Sequence, residues 1–226
     1  MIKAVSYSLY GSDKRYTVNA LVNIELCNKF YPGWDIHFYY DESVPNVIIQ
    51  EILKHSNCRI IKSKGVNHSR AWWRFLSYDT TDLFISRDAD SHITEREVDA
   101  VNEWIQSGKS LHIMRDNVGH NNKIQSGMFG MRKNDKLSSM KLLIGNRISS
   151  IKHYGEDESF LDNYIYPIYS DSKDFVVHDE FDRKWGKDAT HTYKKPILNE
   201  QFIGTPQFME NIFINKDIAE KYIGLY

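Results

Sequence analysis

The sequence is poor in cysteine and proline and has no long apolar segment. It contains two cysteines, Cys27 and Cys58, and five prolines in 226 residues. Two cysteines are too few for a disulfide framework, and nothing at the N-terminus resembles a signal peptide. We therefore expect reduced thiols in a cytoplasmic protein. No apolar run approaches the ~20 residues that a membrane-spanning helix requires, so we expect no transmembrane segment.

The chain also lacks an excess of charge of either sign. Lys plus Arg number 29 and Asp plus Glu number 30, which leaves a net charge of −1. Domains that bind nucleic acid usually carry a basic excess, so we expect no nucleic-acid partner. Hydrophobic residues make up 41% of the sequence, enough for a buried core, and the length suits one domain rather than two.

The first half alternates between strand-like and helix-like patterns. Strands are predicted at residues 2–9, 34–40, 58–62 and 82–86, and helices at 16–31, 46–56 and 71–78. This order predicts an α/β domain with a mostly parallel central sheet flanked by helices. Ligands of such sheets bind at the carboxyl ends of the strands.

The second half is less regular. Thr94, with Glu97 three residues later, has the pattern of a capping box, and Gly108 would end the helix that it starts. The remaining segments are assigned as strands at 111–114 and 126–132 and as helices at 134–144 and 156–164.

Two acids, Asp88 and Asp90, follow the apolar strand at 82–86. Carboxylates one residue apart at a strand end suit Mg²⁺ or Mn²⁺, which accept carboxylates, phosphates and water together. Such an ion can bridge a nucleoside diphosphate and stabilise it as a leaving group. The alternative is that both are loop acids that cap the next helix.

A series of short segments resembles GT-A fold, DXD-type nucleotide-sugar glycosyltransferases, most of all the compact kind found in bacteria and large DNA viruses. The matching segments are residues 7–11, 31–34, 40–45, 73–76, 87–91, 112–116, 126–130 and 155–161. The sequence departs from the commoner Gly-Gly-Met-Trp-Gly run, because Ser126 and Phe129 replace Gly and Trp. This departure leaves the donor sugar and the acceptor pocket open.

The resemblance implies a single domain over residues 1–226, with a Rossmann-like nucleotide-binding half at about 1–92 and an acceptor and metal half at about 93–226. It implies transfer of a sugar from a nucleotide diphosphate-sugar, with UDP the expected nucleotide, to a glycan or other hydroxyl acceptor. Mn²⁺ or Mg²⁺ would be the cofactor. The residues implied for donor binding are Ser6, Tyr7, Tyr10, Asp41, Asp88 and Ala89, with Asp88 and Asp90 at the metal.

Two further residues are assigned from their positions. Arg74 precedes the motif strand and could brace the diphosphate or position Asp88; the alternative is an exposed helix face. His178 ends an apolar strand, and its imidazole would make a third metal ligand; the alternative is a surface or core histidine.

An inverting transferase also needs a carboxylate base. Asp157 is the first candidate, with Asp116 and Glu158 as competitors. Acids at a predicted helix start can also be there for the helix dipole alone.

Two other functions compete with a glycosyltransferase. A phosphohydrolase of the haloacid dehalogenase type also places Asp-X-Asp after a strand, but it needs the pair on the first strand, with Thr or Val where this chain has His92. A catalytically inactive sugar- or nucleotide-binding domain is the second alternative, because site acids alone do not prove turnover.

Overall fold

The structure is a computed structural model that describes residues 1–145, 147, 153–181, 190–197, 201–209 and 215–226. The sequence also has a basic run at residues 184–187, which would be typical of solvated charge, and this run lies outside the described residues. Within them, no helix is both long enough and apolar enough to cross a membrane. Both cysteines are free and buried.

Eight strands and seven α-helices make up the described part of the chain. The strands are β1 (Lys3–Leu9), β2 (Asp35–Tyr40), β3 (Cys58–Lys62), β4 (Leu83–Arg87), β5 (Leu111–Arg115), β6 (Met128–Arg132), β7 (Phe175–Asp179) and β8 (Thr190–His191). The helices are α1 (Lys14–Phe30), α2 (Asn46–Leu53), α3 (Glu95–Ser107), α4 (Met140–Gly145), α5 (Glu156–Phe160), α6 (Tyr166–Ser170) and α7 (Lys216–Glu220). A 3₁₀ helix at Asn67–Asp79 and a π-helical turn at Leu161–Ile165 complete the set.

The strands form one sheet in the order β3-β2-β1-β4-β6-β5-β7-β8. All neighbouring pairs are parallel except those of β6, which runs antiparallel to both β4 and β5. The predicted mostly parallel α/β sheet with flanking helices is confirmed. Because β1, β2 and β4 are parallel and in register, Tyr10, Asp41 and Asp88 follow them at the same edge of the sheet.

The side chains of strand β1 point alternately into the two layers that cover the sheet. Val5, Tyr7 and Leu9 belong to one core cluster, which they share with residues of α1 and α2. The side chains of Ser6 and Ser8 point to the opposite layer and donate to backbone carbonyls of the 67–79 helix. The period of two along a strand therefore decides which β1 residues approach that helix.

Helix boundaries in the second half differ from the predicted ones. The helix predicted at 134–144 begins only at Met140, because its first turn is capped by a distant carboxylate. Asp79 accepts hydrogen bonds from the backbone N–H groups of Met140 and Lys141, both at 2.8 Å. The start of this helix depends on a residue about sixty positions away, so it cannot be recognised from the local sequence pattern.

Candidate active site

A cleft of about 290 Å³ opens at the carboxyl ends of β1 and β4. Seven residues predicted from the sequence line it: Tyr10, Arg74, Asp88, Ala89, Asp90, Asp157 and Glu158. Other lining residues were not predicted as site residues, among them Arg15, Tyr16, Tyr154, Gly204 and Pro206. Ser126, which was noted only as a departure from the family pattern, also lines it. The structure thus brings together acids from β4 and α5, which are about seventy residues apart in the chain.

Arg74 lies at the centre of this cleft. Its guanidinium is ion-paired with Asp88, donates to Ser126 Oγ at 2.9 Å and lies 3.4 Å from Asp157 Oδ2. The side chain is only 6% exposed, so the exposed-helix alternative is wrong. A buried guanidinium in contact with two carboxylates holds both at fixed positions.

The serines of β1 hold the backbone of Arg74 in place. Ser8 Oγ accepts a hydrogen bond from the Arg74 N–H at 3.0 Å, and Ser6 Oγ donates to the Arg74 carbonyl at 2.7 Å. Ser6 is fully buried and does not line the cleft. Ser6 therefore contacts the backbone of Arg74, whereas the resemblance implied a contact with the sugar donor.

Asp88 projects into the cleft beside a glycine. A Cβ atom on Gly127 would lie 1.9 Å from Asp88 Oδ2, so the carboxylate occupies space that only glycine leaves free. The turn that follows β4 is held by Asn23, which donates to the carbonyls of Ala89 and Ser91 at 3.2 and 2.9 Å. These contacts place Asp88 and Asp90 in the same cleft.

Asp90 is buried and forms an ion pair with Arg15. The Arg15 Nε donates to Asp90 Oδ2 at 2.7 Å. Arg15 stands in the first turn of α1, where its N–H donates to the capping carboxylate of Asp13 at 2.8 Å. Burial, together with the negative charge of Asp88, raises the pKa of Asp90 to about 6 despite the guanidinium beside it.

Asp157 and Glu158 enter the cleft from the start of α5. The chain turns there at Gly155, whose φ of 83° is in the left-handed region. Burial and then the charge of Asp157 raise the pKa of Glu158 to about 7. Asn122 donates a side-chain hydrogen bond to Glu158 Oε2.

Tyr10 and Asp41 are linked through Arg70. The Arg70 guanidinium lies 5.6 Å from the centre of the Tyr10 ring, and its Nε is 3.1 Å from Asp41 Oδ2. Tyr10 lines the cleft and packs edge-on against Trp73, whereas Asp41 does not line it. Asp41 therefore stands beside the cleft, one side chain removed from it.

Tyr7 is not part of the cleft. It is fully buried, stacks on Phe38 with ring centres 5.2 Å apart, and its hydroxyl lies 3.6 Å from Cys27 Sγ. The alternation along β1 turns it towards α1 and away from Arg74. The structure gives no support to Tyr7 as a donor-binding residue.

Asp116 is buried in a separate ion pair. Its carboxylate accepts from Arg96 Nε at 3.0 Å and Nη2 at 2.6 Å, and from the Ile203 N–H at 2.9 Å. With its side chain fully buried and these donors around it, Asp116 cannot reach an acceptor hydroxyl. Asp116 does not line the cleft, so the structure gives no support to its assignment as a catalytic base.

His178 does not complete a metal site with Asp88 and Asp90. It lies on β7, which is separated from β4 by β6 and β5. Three strand spacings put it roughly 14 Å across the sheet from the motif strand. The apolar strand that contains His178 was predicted correctly from the sequence. Its place in the sheet, three strands from β4, is set by the strand order, which the local sequence does not reveal.

Phe129, one of the departures from the family pattern, lies in the core. It is fully buried and packs edge-on against Phe75 and Phe84, with ring centres 5.4 and 5.8 Å away. Ser126 is the departure that lines the cleft. The replacement of Trp by Phe therefore does not alter the cleft wall directly.

The acids of the cleft outnumber its cations. Asp88, Asp90, Asp157 and Glu158 face two guanidinium groups, those of Arg15 and Arg74. When all are ionised, the excess is two negative charges; after burial, this negative charge is the next cause of the raised pKa values of Asp90 and Glu158. Carboxylate oxygens with such an excess of negative charge have the ligand chemistry that Mg²⁺ and Mn²⁺ prefer.

The residues that sequence reasoning missed come from distant segments. Arg15 and Tyr16 belong to the first turn of α1, and Gly204 and Pro206 belong to the C-terminal part of the chain. The bridge between Ser91 and Pro206 and the hydrogen bond from the Gln207 N–H to the Asp90 carbonyl bring that part to the motif. No local signal marks such contacts.

Replacement of Glu158 should change how stability depends on pH. The pKa of Glu158 is about 7 in the folded protein, against an ordinary value of 4.5. The raised value means that the proton stabilises the fold fully below about pH 4.5, and that this contribution is lost as pH rises through 7. In chemical unfolding measured from pH 5 to 8, the stability of wild type relative to Glu158→Gln should fall with rising pH. Exposed Glu220→Gln is the control, and an equal pH slope for wild type and Glu158→Gln would contradict the assignment.

Gly127→Ala should displace the Asp88 carboxylate without unfolding the protein. The added methyl group would overlap Asp88 Oδ2, and the half-exposed Asp88 side chain can rotate away. We expect Mn²⁺ affinity, measured by calorimetry, to fall by about tenfold or more. Gly145→Ala is the matched control, because its Cβ would meet no atom within 4 Å. Unchanged Mn²⁺ affinity in folded Gly127→Ala would show that Asp88 does not bind the ion.

Comparison with known proteins finds similarity in structure and not in sequence. No protein-family model matches the chain, and no curated protein sequence matches it. The galactosyltransferase LgtC, in complex with donor and acceptor sugar analogues, superimposes with a TM-score of 0.52 at 12% identity, over 97% of this chain and 96% of that one.

Two larger proteins superimpose over about half or more of their length. The mannosyltransferase PcManGT from Pyrobaculum calidifontis, in complex with GDP-Man and Mn²⁺, matches at 11% identity with a TM-score of 0.51, over 79% of this chain and 55% of that one. TarS residues 1–349 from S. aureus, in complex with UDP, match at 13% identity with a TM-score of 0.50, over 85% of this chain and 59% of that one. Together with the strand order and the cleft, these similarities show that the chain has the GT-A fold of nucleotide-sugar glycosyltransferases.

Proposed function

We propose that the protein is a metal-dependent glycosyltransferase that moves a sugar from a nucleotide diphosphate-sugar to a hydroxyl of a glycan or other acceptor. The observation that carries the proposal is the cleft in which Arg74 bridges Asp88 and Asp157 beside Asp90. This constellation lies at the carboxyl ends of parallel strands, where α/β sheets bind their ligands.

The structural neighbours support the same class of donor. The mannosyltransferase was crystallised with GDP-Man and Mn²⁺, and TarS with UDP. We take UDP as the first nucleotide to test and GDP as the second. The half at about 1–92 contributes Tyr10 and Arg74 to the cleft, and the half at about 93–226 contributes Asp157 and Glu158.

Asp88 and Asp90 would hold the divalent ion. Bound there, the ion would neutralise the charge that develops on the diphosphate leaving group. Arg15 compensates the charge of Asp90, with its Nη2 2.5 Å from Oδ2. A bound metal ion would compete with this ion pair for the Asp90 carboxylate.

Arg74 would fix the geometry of the reaction. Its buried guanidinium holds the Asp88 carboxylate for the metal and presents fixed positive charge to the cleft. A preorganised cation in a partly desolvated site stabilises developing negative charge more than a mobile one in water does.

Glu158 is better suited than Asp157 to accept the proton of an acceptor hydroxyl. Asp157 is ion-paired with Arg74 at 3.4 Å, so its carboxylate is already engaged by a guanidinium of the protein. The pKa of Glu158, about 7, is close to the pH at which a general base works most effectively. Both side chains line the cleft, so either one reaches a bound acceptor more readily than the buried Asp116 does.

Mn²⁺ should strengthen the binding of UDP, and Asp90→Asn should remove that gain. The carboxylate supplies one of the anionic ligands through which the ion holds the diphosphate, and an amide supplies none. Calorimetry of UDP and GDP with Mn²⁺, with Mg²⁺ and with chelator tests this. The exposed Asp171→Asn should behave as wild type. Equal nucleotide affinity with chelator and with Mn²⁺ would exclude the metal site.

Glu158→Gln should lower the rate of transfer while leaving the affinity for UDP with Mn²⁺ unchanged. We expect wild type to consume UDP-sugar with Mn²⁺ and the variant to lose about 10²-fold or more of that rate, because general-base catalysis contributes about 10²–10⁴-fold. Donor hydrolysis and transfer to a panel of sugar acceptors are measured by UDP release. Metal-dependent UDP binding without any turnover would instead identify an inactive nucleotide-binding domain.

A further inference from the structure

A second group of potential metal ligands lies away from the cleft. Glu103 of α3, His178 of β7 and His191 of β8 place one ligand atom each within 4.8 Å of one another. His178 Nε2 is 2.8 Å from Glu103 Oε2, and His191 Nδ1 is 3.9 Å from the same oxygen. The three residues come from three separate elements, so tertiary folding alone assembles them.

The spacing of these atoms is close to that of a tetrahedral metal site. Ligands at about 2.1 Å from a zinc ion are about 3.4 Å from one another. The observed separations of 2.8 and 3.9 Å lie on either side of this value. Small rotations of Glu103 and of the half-exposed His191 would bring all three atoms to ligand distance. A fourth position would remain for water.

The surrounding residues suit this use. His112 Nε2 is 2.9 Å from His178 Nδ1, so His112 can accept the Nδ1 proton that a metal ion on Nε2 requires. Lys194 Nζ lies 2.5 Å from the other carboxylate oxygen, Glu103 Oε1, and leaves Oε2 for the ion. His112 is fully buried, and its Nδ1 has no hydrogen-bond partner among the described residues. A change of tautomer would replace the hydrogen bond from His178 Nε2 to Glu103 Oε2 with bonds to the ion, and it would keep the hydrogen bond between the two histidines.

We propose that Glu103, His178 and His191 bind a transition-metal ion such as Zn²⁺, which tethers β8 to α3. Two imidazole nitrogens and one carboxylate oxygen favour Zn²⁺, Co²⁺ or Ni²⁺ over Mg²⁺. The site is distinct from the oxygen-rich cleft of Asp88 and Asp90, which favours Mg²⁺ or Mn²⁺. The ion would link the short strand β8 to the sheet more firmly than its two-residue pairing with β7 does.

Calorimetry with Zn²⁺ on the full chain tests the proposal, with thermal unfolding as a second readout. Wild type should bind Zn²⁺ and unfold at a higher temperature with it. His191→Ala is the main variant, because the half-exposed side chain can be removed without disturbing the core. It should lower the affinity about 100-fold or more and abolish the thermal gain. Glu103→Gln should act in the same direction.

Two controls separate this site from others. Asp90→Asn should keep both the Zn²⁺ affinity and the thermal gain, because the cleft is not involved. His55→Ala removes a histidine outside the cluster and should also behave as wild type. Absence of Zn²⁺ binding to wild type, equal Zn²⁺ affinity in His191→Ala, or loss of the affinity in Asp90→Asn would each overturn the proposal.

Discussion

The position of one buried guanidinium determines the arrangement of the cleft. Arg74 is taken out of water, and its charge is compensated by Asp88 and Asp157. A buried charge that loses its partner is left without compensation, which is costly away from water. The acids of β4 and α5 are therefore held beside Arg74 by a strong electrostatic constraint.

The rest of the site follows from how Arg74 is held. Its backbone is fixed on both sides by Ser6 and Ser8 of β1, so the central strand sets the position of the guanidinium. Asp88 then needs the space beside Gly127, where any side chain would overlap the carboxylate. Arg15, at the start of α1, holds the Asp90 carboxylate in the same way by donating a hydrogen bond to it. Two arginines from different helices thus hold the two acids of one short motif.

This arrangement leaves an excess of negative charge, which is costly in a partly buried cleft. Burial first, and then the neighbouring negative charges, raise the pKa values of Asp90 and Glu158. A divalent cation relieves the repulsion at the motif, and a base with a pKa of about 7 remains at the other side of the cleft. The same electrostatic imbalance therefore supports both parts of the proposed chemistry, metal binding and proton transfer.

The sequence by itself determined the α/β class, the alternation of the first half, and the two acids at the end of β4. Periodicity and strand-end position are local properties, so they can be recognised without the fold. The strand order decided what the sequence could not: it places β6 and β5 between β4 and β7, which moves His178 away from Asp90 and towards Glu103. It also buries Asp116 against Arg96 and brings Arg15 to Asp90. These contacts join residues 20 to 75 positions apart in the chain, and only tertiary packing, with the free-energy cost of leaving a buried charge without a partner, selects them.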